Sequence, residues 1–203
     1  MLLAELLAGG LCVALVAYDW RRFRRLTASD CRYGCPVARA DDPFPAGPDH
    51  ALPARFGPDG LLRLDHGIAR LFPDERRVLL HPQSGRGSSR FRTAWPIKGA
   101  LELRGDRWHC VKLMPWSSAV LTLLWFAIVG IGTLAFVIRF LTEGDSFSLG
   151  SLLLVLGVTG VGLLVLAFGL ATVSLAYRLE DQRLMEAYRE LRAALSEPTS
   201  ETR

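Results

Sequence analysis

Charge is missing from two long stretches of this 203-residue chain, residues 119–138 and 149–177. A bilayer core of ~30 Å is crossed by ~20 helical residues, so each stretch is long enough to span one. With no charge inside either stretch, the sequence argues against a proton or ion pathway through this chain alone. Lysine is nearly absent too. Only Lys98 and Lys112 stand among 24 basic residues, a skew that carries no functional weight. No H-E-x-x-H, dinucleotide fingerprint, P-loop, kinase set or nucleophile elbow occurs, which removes any positive ground for proposing an enzyme. Nor does a basic residue precede the first apolar run, as a secretory signal would require.

What is present instead is a membrane pattern. Residues 1–18 carry a single charge, Glu5, and are followed by Arg21, Arg22, Arg24 and Arg25. This reads as an uncleaved first span with its N-terminus outside and its arginine flank held inside. Three spans then place 19–116 and the tail from Arg178 in the cytoplasm, with residues 139–148 outside. Of the 24 basic residues only Arg139 is left outside. Tyr18, Trp20, Trp116 and Tyr177 fall at the expected inner boundary, where amphipathic rings settle. The positive charge of the middle region therefore points to anionic lipid and topology, not to nucleic acid.

Between the first two spans the composition changes twice. Six of the eleven prolines lie between Pro36 and Pro58, so residues 26–59 are expected to be a poorly structured linker. From Gly60 to Leu113 short alternating runs are separated by turn residues, including Gly57-Pro58-Asp59-Gly60, Pro73-Asp74-Glu75 and Gly105-Asp106. One of the runs is Arg90 to Trp95, with Phe91, Thr93 and Trp95 on one face. About six strands follow, an antiparallel sheet or small barrel with a thin core. In element order and size the chain is similar to bacterial membrane proteins that carry a small pleckstrin-homology-like β domain beside a helical hairpin. A likeness of fold does not give function.

The tail continues as a helix. Leu184, Tyr188, Leu191 and Leu195 make one apolar stripe, which suits either a short coiled coil or docking on the β domain.

The expected fold is therefore membrane α + β. Transmembrane helix 1 covers 1–20, a basic flank and Pro-rich linker 21–59, and the cytoplasmic antiparallel β domain 60–115. Helix 2 covers 116–141, an external loop 142–148, helix 3 149–177, and an amphipathic cytoplasmic helix and tail 178–203. Within the spans, small residues recur four apart at Gly10 and Ala14, Ala167 and Ala171, and Thr172 and Ala176. They suit packing among the chain's own helices, or contact with another subunit.

Three function classes remain. The first is a non-enzymatic accessory or scaffold protein of a bacterial inner membrane, which presents the β domain to a protein partner. The second is a module sensing anionic lipid or a phosphate ligand, with Arg21, Arg22, Arg24, Arg25, Arg86, Arg90 and Arg92 as contacts. Its loop Ser84-Gly85-Arg86-Gly87-Ser88-Ser89 also reads as an ordinary flexible hairpin loop. The third, a membrane-bound enzyme, would need a site built from Cys31, Cys35 and His109. A single C-x3-C with scattered histidines is poor metal-ligand spacing, so no metal and no cofactor is expected.

Overall fold

The computed structural model describes residues 2–43, 55–83, 93–104, 107–143 and 149–196. Helix α1 (Leu2–Phe23) leads through a 3-10 turn (Ala28–Asp30) into strand β1 (Cys35–Pro43). Strands β2 (Leu61–Arg63), β3 (Gly67–Phe72), β4 (Arg77–Pro82), β5 (Lys98–Arg104) and β6 (Arg107–Met114) follow as a meander. Helices α2 (Trp116–Glu143) and α3 (Leu149–Ser196) close the chain.

The six strands form one antiparallel sheet in the order β1-β6-β5-β4-β3-β2. Strand β1 lies in the stretch expected to be linker, and this is a correction. Proline removes a backbone donor, yet an edge strand needs donors on one side only. Pro36 sits at a register break and Pro43 at the strand end, so β1 pairs with β6 from Cys35 opposite Met114 to Pro43 opposite Arg107. The turn at residue 57 forms as expected, with Gly60 N–H donating to the Gly57 carbonyl at 2.8 Å. The expected strand at 90–95 is not found where it can be seen: Thr93, Ala94 and Trp95 are outside the sheet, and 90–92 lie outside the described residues.

The two faces of the sheet are covered differently. On one face Ala69, Leu71, Val78, Leu80, Leu101 and Cys110 pack against Leu184, Ala187, Tyr188, Leu191 and Leu195 of α3. The tail stripe thus docks on the sheet. Polar ties fix it sideways: Tyr188 Oη donates to Asp42 at 3.0 Å, Lys112 pairs with Asp181, and His66 pairs with Glu190. On the other face Leu79, Ala100 and Leu113 are covered by Phe23 and Cys31.

Among the described residues two helices are long and apolar enough to cross a membrane, α2 over Trp116–Thr142 and α3. Their apolar side chains stand exposed, among them Leu123, Ile128, Ile131, Leu164 and Phe168. The two run antiparallel and meet closely because two glycines lack a side chain: a methyl at Gly162 would come within 2.4 Å of Thr133, and one at Gly169 within 2.3 Å of the Trp125 ring. Helix α3 is continuous for 48 residues, ~72 Å at ~1.5 Å per residue, from its apolar half into its sheet-bound half.

Candidate functional site

Two constellations among the described residues gather charge, apart from the buried Glu180, which bonds Thr93 and Arg183. The first is a junction where α1, α2 and the sheet converge. Asp19, 7 % exposed near the end of α1, accepts from Tyr33 Oη at 2.5 Å, from the Ser117 N–H at 2.9 Å and from Ser117 Oγ at 2.6 Å. Ser117 is the second residue of α2, so a carboxylate from one helix caps the positive end of another. Burial and then the bond to Asp19 push the Tyr33 phenol up to about 12. One turn along, Arg22 bonds Asp30 at 3.0 Å and lies 4.1 Å from the Tyr33 ring. Thr27 Oγ1 donates to the same carboxylate at 2.5 Å.

Beneath these lies Lys98, fully buried at the start of β5. Its Nζ donates to the Asp30 carbonyl at 2.7 Å and to the Phe23 carbonyl at 3.4 Å, and sits 4.5 Å from the Phe23 ring. Phe23 ends α1, where a cation complements the helix dipole. Burial lowers the amine to about 8. The junction bolts the apolar helices to the sheet.

The second constellation is a cleft of about 370 Å³ on the sheet face away from α3, beside the 31–34 segment. Strand register builds it. Arg77 faces Glu102, Glu102 faces His109, and His109 faces Asp41, one row across four strands. Arg32, Arg39 and Arg104 complete the wall. Glu102 lies 3.2 Å from Arg104, 3.5 Å from Arg77 and 3.8 Å from Arg32. Burial raises its carboxyl, and Arg104 and Arg77 outweigh that, holding it below its ordinary value. Asp41 pairs with His109 at the rim, and Glu75 bonds Arg77 at 2.6 Å. Gly34, at a φ of +137°, lets the 31–34 segment lie against Leu113 and Met114, where a side chain would strike the Met114 carbonyl.

Four of the arginines expected as contacts lie among the described residues. Arg22 is engaged at the junction, Arg24 lies over Trp20, and Arg21 and Arg25 are exposed. Arg86, Arg90 and Arg92 lie outside the described residues. Gly10, Ala14, Ala167, Ala171 and Thr172 are exposed, whereas Ala176 is buried; the close helix contact is made by Gly162 and Gly169.

The three weak metal candidates are not brought together. Cys31 is buried under the sheet, where burial pushes its thiol up; Cys35 starts β1; His109 pairs with Asp41. Among the described residues no three His, Cys, Asp or Glu side chains gather as a metal site. Compared with known proteins, the chain matches no family model, no curated protein and no solved structure.

Proposed function

We propose that the chain is a three-span protein of a bacterial inner membrane, with its N-terminus outside and its β domain and tail in the cytoplasm, acting as a non-enzymatic scaffold for a protein partner. The observation that carries this reading is the double fastening of the sheet. One end is held by the Asp19–Tyr33–Ser117 junction, the other by the unbroken run of α3 onto the sheet face. A domain fastened at two points keeps a fixed orientation to the helices, which is what presenting a surface to a partner requires. The basic flank of α1 and the boundary aromatics support the orientation.

Topology is tested with single cysteines in a chain otherwise freed of them. An impermeant thiol reagent labels Thr142→Cys in intact cells, and Arg63→Cys only after permeabilisation. Labelling of Arg63→Cys in intact cells overturns the cytoplasmic placement. For the scaffold role, purification in mild detergent yields a second protein in fixed stoichiometry, released by Asp19→Ala. A chain that purifies alone overturns it.

A further inference from the structure

We propose that the arginine cleft between β4, β5, β6, β1 and the 31–34 segment binds a small soluble molecule through a phosphomonoester group. The cleft, about 370 Å³, is at the small end of the range for ligand pockets, ~300–1,000 Å³. Its wall holds four guanidinium groups against one carboxylate, Glu102, with Asp41 and Glu75 at the rim.

Two parts of the wall differ in kind. Arg77 and Glu102 are held in place, with side chains 16 % and 27 % exposed, while Arg32 and Arg104 are 68 % and 66 % exposed. Arg39 has no acidic partner among the described residues and stands exposed on the edge strand. Arg32, Arg39 and Arg104 thus remain as open arms around an ordered base. Guanidinium forks match phosphate oxygens, and a phosphomonoester offers three acceptors and up to two charges. A single carboxylate offers two acceptors and one charge, and Glu102 already supplies that.

The position of the cleft favours a soluble source over a lipid headgroup, a choice that rests on the proposed membrane crossing of α2. The charged row at His109 is five residues up β6 from Met114, ~17 Å along the strand from where α2 begins. Ala100, Val111 and Leu113 line the cleft between that row and the α2 end.

The test is titration calorimetry of the full chain in nonionic detergent, with phenyl phosphate and inorganic phosphate as probes, beside nanodiscs containing phosphatidate. Saturable one-site binding of phenyl phosphate is expected, weakened at least tenfold in the Arg39→Gln/Arg104→Gln double variant. Arg63→Gln/Arg189→Gln, which removes the same charge from exposed positions elsewhere, leaves the affinity within twofold. Glu102→Gln, which removes the resident carboxylate, tightens binding at least threefold. Equal binding by both double variants, or no saturable binding at all, overturns the site. Binding of phosphatidate nanodiscs without binding of phenyl phosphate overturns the soluble source, and succinate binding as tightly as phenyl phosphate overturns the phosphate. None of these outcomes depends on a protein partner, so the scaffold reading stands or falls separately.

Discussion

Lys98 makes the stability of the fold depend on alkaline pH in a calculable way. The amine drops from an ordinary 10.5 to about 8 because burial disfavours its charge. Cys31, Asp30 and Asp19 nearby favour the charge, and Arg22 opposes it. Below pH 8 both the folded and the unfolded chain carry the proton, and the folded state bears the full cost of the buried ammonium. Between pH 8 and 10.5 the unfolded state binds more protons than the folded one, so stability rises with pH. A gap of about 2.5 pH units at ~1.36 kcal/mol each amounts to about 3 kcal/mol.

Other groups pull the opposite way. Burial raises Cys110 to about 11 and Tyr33 to about 12, so each favours the folded state less as it ionises at high pH. A comparison with Lys98→Met cancels them. The variant loses the bonds to the Phe23 and Asp30 carbonyls, an offset nearly independent of pH. The assay is urea unfolding in nonionic detergent at pH 7, 8, 9, 10 and 10.5, followed by tryptophan fluorescence. Wild type is expected to gain about 3 kcal/mol on Lys98→Met across that range. A difference that stays flat refutes the reasoning, since it would mean the ammonium reaches water in the folded protein.

Two further outcomes follow from the docking of α3. Leu191→Ala removes a side chain 1 % exposed between helix and sheet, and should cost ~2–5 kcal/mol in the same unfolding assay. His66, bonded to Glu190, has its imidazole raised above the ordinary 6.5 by that bond. The tie is therefore fully present below pH 6.5 and fades as pH rises through the raised value. NMR titration should show His66 titrating above 6.5 in the wild type and returning toward it in Glu190→Gln.

The parts of this fold written in local pattern were legible. The two uncharged stretches give α2 and the first half of α3, and the stripe Leu184, Tyr188, Leu191, Leu195 gives a helix face that the sheet covers. Strand β1 was hidden because proline density signals irregular chain only where both strand edges must pair. Four-residue spacing of small residues marks faces that could approach, and within this chain Gly162 and Gly169, seven apart, are the ones opposite Thr133 and Trp125. The cleft leaves no linear trace. Arg32, Arg39, Arg77 and Arg104 are separated by 7, 38 and 27 positions, and they are gathered by the register of β1, β4, β5 and β6 and by the seating of the 31–34 segment.

The continuity of α3 also limits how the gene for this protein can change length. Gly162 and Gly169 fix the helix's rotation against α2, and Leu184 and Leu191 fix it against the sheet, with no break between. Each inserted residue turns everything beyond it by ~100°, so one codon added between 170 and 183 swings the leucine stripe off the sheet. Seven codons bring it round to within ~20° of its starting angle, but lift it ~10 Å out of step with its pockets. In that stretch substitutions are tolerated far more readily than insertions, and the spacing from Gly169 to Leu184 behaves as a fixed length.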